Sequence, residues 1–317
     1  MDKLRVGVVG VGYLGRQHVR IYRELEGAEL VGIVDKNPRV GEAVAAEFAV
    51  PFSTNLDSLI GRVDAVSLAA PTTEHARLGC LLLNQGIDVL VEKPIAATLE
   101  EAKELARTAE SRGRILQVGH LERFNPAVQE VQKMLTRPMF FEVHRLGIFT
   151  SRSLDVDVVL DLMIHDLDLV LEFARSPLKS VHAVGLPILT SKIDIANVRL
   201  EFESGCVANL TASRVSTEKV RKMRFFQPRE YVSIDFSRQD VVLVRVESAG
   251  PGERPITVPR KLEPQRKEPL KEEIRSFLEK VRTRETPLVT AESGTRALEL
   301  ARLIVERIQE HNQGVKL

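Results

Sequence analysis

The chain has 317 residues, of which 44% are hydrophobic and 28% are charged, and its formal net charge is +1. This length suits about two domains, and the composition excludes a disordered chain. The balanced charge argues against a nucleic-acid partner or an anionic membrane surface. No apolar run approaches the roughly 18 residues that a membrane-spanning helix needs, and no secretory signal precedes the first strand. Cys80 and Cys206 have no metal or redox spacing, so we expect buried thiols, a cytoplasmic location and a small-molecule ligand.

Strands alternate with helices along residues 1–120. The β-branched run 4–9 ends in a glycine-rich turn, after which Val19 and Tyr22 follow at helical spacing. Thr98 and Glu101 have the spacing of a capping box and predict where one helix begins. This alternation predicts a doubly wound parallel sheet covered on both faces. The predicted strands after the first are 29–34, 63–68, 87–91 and 115–118, and the predicted helices after the first are 40–48, 73–84 and 99–111.

The pattern changes after residue 120 and predicts a second domain over 121–317. Asn125 and Pro126 are typical of a helix start, with the helix ending near residue 135. Alternating apolar and polar residues predict an α+β domain with an open-faced, mostly antiparallel sheet. The stretch 248–269 is rich in proline, glycine and charge, so we expect an exposed connection. The predicted strands are 139–145, 180–187, 193–203, 206–214, 221–227, 230–236 and 241–246, and two helices follow at 271–281 and 291–309.

The glycine turn at 10–15 has the sequence GVGYLG and matches the G-x-G-x-x-G pattern. It follows a strand, opens a helix and has Asp35 twenty residues beyond Gly15, which is the context of a Rossmann dinucleotide site. The helix N-terminus would bind the phosphates, and Asp35 would bind the ribose hydroxyls and repel a 2′-phosphate. We therefore expect NAD rather than NADP, although Lys36 could accommodate a 2′-phosphate. The alternative is a structural turn beside a surface aspartate.

Lys93 comes directly after the predicted strand 87–91, at the edge of a parallel sheet where ligands bind. There it could hold a substrate hydroxyl or tune a neighbouring base. A solvated loop lysine is an equally good interpretation of the position alone.

A polar stripe crosses the otherwise apolar helix predicted over 158–173. It contains Asp161, His165, Asp168 and Glu172, which share one helical face. Since isolated buried charges are costly, we expect this stripe to face a wet cleft, where Asp161 orients His165 as a general base. A structural histidine and a divalent metal site are the alternatives. The metal is disfavoured because no further histidine or cysteine has matching spacing.

These motifs, in this order, resemble the Gfo/Idh/MocA family of sugar oxidoreductases over nearly the whole chain. The motifs are the glycine turn, PTTEH at 71–75, EKP at 92–94, and Asp161 with His165; Ser293 departs from the family's usual aspartate. The resemblance implies homodimers or homotetramers built through the second sheet. It also implies that Lys93 and His165 flank the reacting carbinol, with Asp161 nearby. The implied cofactor contacts are Gly10, Gly12, Tyr13, Leu14, Gly15, Asp35, Pro71, Thr72, His75, Glu92 and Lys93.

Within that family, the segment 117–126 resembles the UDP-N-acetylglucosamine 3-dehydrogenases, which make a 3-keto sugar for lipid A synthesis. The resemblance implies a nucleotide-sugar substrate, with His120, Arg123 and Asn125 among its contacts. Asn125 has a simpler interpretation as a helix cap. A basic cluster could neutralise a substrate diphosphate, but an exposed sheet face is favoured for it. This basic cluster consists of Lys219, Arg221, Lys222 and Arg224.

The sequence and the resemblance together predict NAD-dependent oxidation of a sugar hydroxyl to a ketone. A cyclitol or free-sugar dehydrogenase of the same family is the first alternative. The second is a non-catalytic, NAD-binding redox sensor. The joint presence of Lys93, Asp161 and His165 argues against the sensor, because a binding protein needs only the glycine turn.

Overall fold

The computed structural model describes residues 3–150, 156–247 and 256–315. Its first sheet has six parallel strands in the order β3-β2-β1-β4-β5-β6. They are β1 (Leu4–Val9), β2 (Ala28–Val34), β3 (Phe52–Ser53), β4 (Ala65–Leu68), β5 (Asp88–Glu92) and β6 (Leu116–Gly119). The strand order reverses at β1, which pairs with β2 on one side and β4 on the other. The carboxyl end of β1 is therefore a topological switch point, where open α/β sheets bind ligands.

Four helices connect these strands: α1 (Tyr13–Glu24), α2 (Pro38–Phe48), α3 (His75–Asn84) and α4 (Leu99–Ser111). The predicted capping box of α4 is confirmed. The Thr98 hydroxyl accepts the Glu101 N–H at 3.1 Å, and the Glu101 carboxylate accepts the Thr98 N–H at 3.0 Å. Two N–H groups that the first helical turn leaves without intrahelical partners are thereby satisfied, which fixes the start of α4.

The second sheet has eight strands in the order β14-β13-β12-β11-β7-β10-β9-β8. They are β7 (Phe140–Leu146), β8 (Leu178–Leu186), β9 (Ile195–Phe202), β10 (Val207–Ser213), β11 (Val220–Gln227), β12 (Glu230–Asp235), β13 (Asp240–Glu247) and β14 (Ile256–Leu262). Neighbouring strands are antiparallel except for the parallel pair β7 and β10. Along β9, Val198 and Leu200 are fully buried while Asn197 and Arg199 are exposed. The sheet thus has one packed and one open face, as predicted.

Four further helices complete the described chain: α5 (Pro126–Met134), α6 (Ile164–Ala174), α7 (Pro269–Thr283) and α8 (Ala291–Val315). A π-helical turn, Val159–Met163, leads directly into α6. The second sheet's packed face shares one apolar core with α5, α6 and α8. Among the described residues, no helix combines the length and apolar character that crossing a lipid bilayer requires.

The chain divides into two compact units, and the first is discontinuous. It contains Met1–Leu121 and Glu268–Arg296, while the second contains Glu122–Lys267 and Ala297–Leu317. The prediction had placed all of 121–317 in the second domain. That prediction is wrong for Glu268–Arg296, which joins the first unit because α7 buries Ile274 and Phe277 in the core of the first sheet. Full burial of each such side chain stabilises the folded state by roughly 1.5–3 kcal/mol.

The connection expected at 248–269 is mostly exposed where the structure describes it, but part of it is a strand rather than a loop. Residues 256–262 form β14, which pairs with β13; residues 248–255 lie outside the described part. The strand was missed because Pro259 and the charged or polar residues Thr257, Arg260 and Lys261 resemble a loop. A proline is tolerated there because β14 is an edge strand, where its missing N–H costs no sheet hydrogen bond.

Candidate active site

The glycine turn after β1 has the geometry of a dinucleotide-binding loop. Gly10 has φ +80°, and a Cβ on it would lie 2.5 Å from the Ala70 nitrogen. A Cβ on Gly15 would lie 1.8 Å from the Gly10 oxygen, so helix and turn approach too closely for any side chain. Gly12 has nothing within 4 Å of its Cβ position, and no side chain caps α1 there. The space beside Gly12, at the N-terminus of α1, therefore leaves room for a pyrophosphate.

Asp35 follows β2 and is held beside this turn. Its Oδ2 accepts the Val11 N–H at 2.8 Å, and its Oδ1 accepts the Asn37 N–H at 2.8 Å. The carboxylate and the glycine turn line one cavity of about 880 Å³, a size typical of small-molecule sites. The turn, Asp35 and the cavity together fit the phosphates and the adenosine half of a dinucleotide. Two cations also line this cavity, Lys36 and Arg77.

The other residues expected to contact the cofactor differ in their exposure. Pro71 lines the cavity, and Thr72 begins the short 3₁₀ turn before α3. His75 is 1% exposed, and burial lowers its pKa. Its Nε2 lies 2.8 Å from the Ala70 oxygen and its Nδ1 lies 2.9 Å from the Pro94 oxygen, so the ring links two loops. On α1, Tyr13 is exposed and Leu14 is half-buried.

Glu92 and Lys93 stand at the carboxyl end of β5, as predicted. Glu92 is 4% exposed, with its Oε1 at 2.9 Å from the His18 Nε2 on α1 and its Oε2 accepting the Lys93 N–H at 3.3 Å. His18 thus connects the segment that carries Lys93 to the helix that follows the glycine turn. Sequence reasoning missed His18. The available signal was its helical spacing with Val19 and Tyr22 on the buried face of α1.

Glu273 on α7 is a second buried acid that the sequence analysis missed. It is 0% exposed, and neither carboxylate oxygen has a hydrogen-bond partner among the described residues. Burial and the nearby charge of Glu92 raise its pKa well above the ordinary value, so Glu273 holds a proton where exposed glutamates have lost theirs. No local pattern marks it, since α7 is an ordinary amphipathic helix.

Asp161 and His165 lie on one continuous helical segment of the second unit. Asp161 is in the π-helical turn, and His165 is in the first turn of α6. Such turns are frequent at functional sites. Both side chains are half-buried, whereas Met163 and Ile164 between them are fully buried. The segment therefore turns this pair away from the apolar core. The described residues contain no group of three or more histidine, cysteine or acidic side chains that could hold a metal.

The other half of the predicted polar stripe pairs with an arginine, and its Asp168 is buried rather than facing a wet cleft. Asp168 is 2% exposed and binds the Arg123 guanidinium through two bonds, from Nε at 2.6 Å and from Nη2 at 3.0 Å. Glu172 lies 3.0 Å from the same guanidinium. The cost of burying the Asp168 carboxylate is offset by the paired arginine, 45 residues earlier in the chain, whereas the Glu172 side chain is 32% exposed. That partner could not be read from helical spacing.

Arg123 and Asn125, expected near a substrate, are both engaged within the second unit. Arg123 is 4% exposed and held as described above. Asn125 caps α5 by accepting the Ala127 N–H at 3.1 Å, and its Nδ2 donates to Glu122 and to the Phe236 oxygen, each at 3.1 Å. The capping interpretation of Asn125 is therefore confirmed. His120, directly after β6, is 1% exposed.

The basic cluster divides between the two faces of the second sheet. Lys219 lies before β11 and is exposed. Lys222 and Arg224 point to the open face. There the Lys222 Nζ lies 4.0 Å from the Asp235 carboxylate, and the Arg224 Nη1 lies 2.8 Å from the Glu142 carboxylate. Arg221 alternates with them and points to the packed face, on the same side as the buried Met223. The expectation of an exposed sheet face therefore holds for Lys219, Lys222 and Arg224 but not for Arg221.

Comparisons with known proteins agree over both units. Residues 4–120 match the oxidoreductase family with an NAD-binding Rossmann fold, and residues 128–229 match the GFO/IDH/MocA C-terminal domain. A UDP-N-acetylglucosamine 3-dehydrogenase of Acidithiobacillus ferrooxidans is 40% identical over 237 residues, covering 74% of this chain and 75% of the relative. The NAD⁺-dependent scyllo-inositol 2-dehydrogenase of Bacillus subtilis is 27% identical and covers 68% of each chain.

A solved structure gives the same answer for the fold. The UDP-N-acetylglucosamine 3-dehydrogenase GnnA from Acidithiobacillus ferrooxidans superposes with a TM-score of 0.91 at 34% identity. The match covers 98% of this chain and 99% of that one. The parallel first sheet and the mostly antiparallel second sheet are therefore both shared with this relative.

Proposed function

Since this chain belongs to the Gfo/Idh/MocA family of NAD-binding oxidoreductases, we propose that it oxidises the 3-hydroxyl of UDP-N-acetylglucosamine to a ketone. The family makes it an enzyme that acts on CH–OH groups with a nicotinamide cofactor. The substrate rests on one observation, the 3-dehydrogenase relative that matches 98% of the chain with a TM-score of 0.91. The product, a 3-keto nucleotide sugar, is ready for amination by an aminotransferase in lipid A synthesis.

The first unit provides the cofactor site. Gly10, Gly12 and Gly15 form the turn that would hold the pyrophosphate, and Asp35 would accept hydrogen bonds from the adenosine ribose. A nicotinamide held there would supply the acceptor for the hydride that leaves the carbinol carbon. We favour NAD because a 2′-phosphate would meet the negative charge of Asp35. Titration should show tighter binding of NADH than of NADPH; equal or reversed affinities would make Lys36 the governing charge.

Three side chains are assigned to the chemistry. His165 takes the hydroxyl proton as general base, and Asp161 orients the imidazole and stabilises its protonated form. Lys93 donates a hydrogen bond to the substrate oxygen and stabilises its developing negative charge. The carbinol thereby loses one hydride and one proton and becomes a ketone. Pro71, Thr72, His75 and Glu92 stay proposed neighbours of the cofactor, and His120, Arg123 and Asn125 stay proposed neighbours of the substrate.

We place the enzyme in the cytoplasm as a homodimer or homotetramer. Its two cysteines are free thiols, which is typical of a reducing compartment. The open face of the second sheet carries an aromatic row, Phe140, Phe226 and Tyr231, with ring centroids 5.7 and 5.2 Å apart. Phe226 is exposed and the other two are half-buried, and aromatic side chains on an open sheet face favour a protein interface.

The test supplies purified protein with NAD and UDP-N-acetylglucosamine and follows NADH and the keto sugar. Trapping of the product by an aminotransferase removes an unfavourable equilibrium as a cause of failure. We expect turnover of the nucleotide sugar. No turnover under trapping, together with oxidation of inositol or free glucose, would overturn the assignment in favour of a cyclitol or free-sugar dehydrogenase. NAD binding without turnover of either class would favour a redox sensor.

A further inference from the structure

Arg221 is a cation on the packed face of the second sheet. It pairs in register with Arg145 on β7, so the two side chains are cross-strand neighbours. Arg221 is half-buried, and Arg145 is 3% exposed. Like charges directly opposite one another destabilise a sheet. This arrangement therefore needs compensation by negative charge.

Two carboxylates, those of Asp166 and Glu122, balance the charge of Arg145. Arg145 donates twice to Asp166, from Nε and Nη2 at 2.8 Å each, and once to Glu122 at 3.0 Å. Its guanidinium also lies over the Phe236 ring, 5.3 Å from the centroid. These contacts hold Arg145 in one place.

Arg221 has no comparable partner. Within the part of the chain that the structure describes, its guanidinium makes neither a hydrogen bond nor an ion pair. Burial and the charge of Arg145 lower its pKa, and together they outweigh the opposing effects of Glu122, Asp166 and Asp161. A partly desolvated guanidinium has lost hydration that no protein group replaces. An arriving anion would replace it.

The position of Arg221 also bears on which anion arrives. Its cross-strand neighbour Arg145 binds Asp166, the residue that directly follows His165 on α6. Arg221 therefore lies on the side of the sheet against which the helical segment of His165 packs. A planar guanidinium matches phosphate oxygens with two parallel hydrogen bonds. A nucleotide sugar carries two phosphates between its sugar and its nucleoside.

We propose that Arg221 binds a phosphate of the substrate's diphosphate and so makes the second unit selective for nucleotide-linked sugars. This inference rests on the proposed function, because it takes the substrate to be a nucleotide sugar. It separates Arg221 from the other three members of the basic cluster, which are exposed or paired on the open face.

The experiment measures binding of UDP and of inorganic pyrophosphate by calorimetry, with the cofactor site saturated by NADH. The variants are Arg221→Gln and Arg221→Lys. Arg224→Gln is the matched control, since Arg224 lies on the same strand, three residues away, on the other face. We expect Arg221→Gln to weaken UDP binding about 10- to 100-fold, as for loss of a charge-assisted hydrogen bond. Arg221→Lys should lose less, and the control should stay within about twofold.

Stability and turnover complete the test. Because Arg221 has a like-charged neighbour and no hydrogen-bond or ion-pair partner among the described residues, Arg221→Gln should melt at or above the wild-type temperature. UDP binding that is absent in the wild type, unchanged in Arg221→Gln or equally weakened in Arg224→Gln overturns the inference. If UDP binding depends on Arg221 but UDP-N-acetylglucosamine is not oxidised, only the proposed function fails. If the sugar is oxidised with a kcat/KM that Arg221→Gln leaves unchanged, only this inference fails.

Discussion

Replacement of His165 by alanine is expected to lower turnover by about 100- to 10,000-fold, the usual contribution of a general base. NAD binding and melting temperature should stay close to wild type, because His165 is half-buried and lies off the apolar core. The wild-type oxidation rate should rise with pH, since only the neutral imidazole accepts a proton. Steady-state kinetics across pH check this.

The alternatives for His165 predict other results. A structural histidine would lower the melting temperature without a selective loss of turnover, and a metal ligand would make activity sensitive to chelators. If the alanine variant keeps near wild-type turnover, His165 is not the base and Lys93 becomes the candidate.

Glu273 gives the fold a distinct pH dependence. Its folded-state pKa is raised above the ordinary value near 4.5 by burial and by Glu92, so the unfolded chain releases this proton first as pH rises. The folded state then holds more protons than the unfolded state, and stability falls with rising pH from about 4.5 until the folded pKa is passed. One such group changes the free energy of unfolding by at most about 1.4 kcal/mol per pH unit.

The variant Glu273→Gln should therefore gain stability relative to wild type as pH rises above about 5. Denaturant unfolding at several pH values measures this difference. Glu279→Gln is the control, because Glu279 is exposed on the same helix. A stability difference that does not change with pH would show that Glu273 is ionised in the folded protein.

Between elements, the ion pair of Arg123 and Asp168 connects the start of the second unit to α6. Asp168→Ala removes one partner of a buried pair and should destabilise the protein by about 3–5 kcal/mol. Asp161→Asn, seven residues earlier on the same helical segment, should lower turnover with little loss of stability. Thermal melts and kinetics of the two variants decide this. If the Asp161→Asn variant loses as much stability as the Asp168→Ala variant, Asp161 has a structural role and the proposed catalytic role is contradicted.

At the scale of the whole molecule, the open face of the second sheet is the expected interface between copies. Phe226 is 39% exposed at the centre of the aromatic row. Phe226→Glu should shift the enzyme toward monomer in size-exclusion chromatography with light scattering, because a buried unpaired carboxylate opposes association. Leu288→Glu, at a 40% exposed position in the first unit, is the control. A wild-type monomer, or an unchanged Phe226→Glu oligomer, would contradict the interface.

Features that involve neighbours along the chain could be predicted from the sequence. The capping box places Thr98 and Glu101 three residues apart, and α4 begins and ends at the predicted residues. The glycine turn depends on backbone conformation within six residues, and the same turn appears in the structure with Gly10 at positive φ. Alternating burial in the second sheet also follows from period-two patterning. Local patterns suggested a base at His165 and a substrate contact at Lys93 but left structural alternatives open, and the family resemblance favoured the catalytic roles.

The sequence by itself therefore determined the two fold classes, the dinucleotide turn and the positions of the main helices and strands, because short-range sterics and periodicity decide these. Only the tertiary structure decided which distant groups meet. His18 contacts Glu92 across 74 positions, and Arg123 contacts Asp168 across 45. An amphipathic pattern shows that α7 has an apolar face but not which core buries it. Burial and pairing depend on neighbours that the fold brings together, so only the tertiary structure shows that the pKa of Glu273 is raised and that the pKa of Arg221 is lowered.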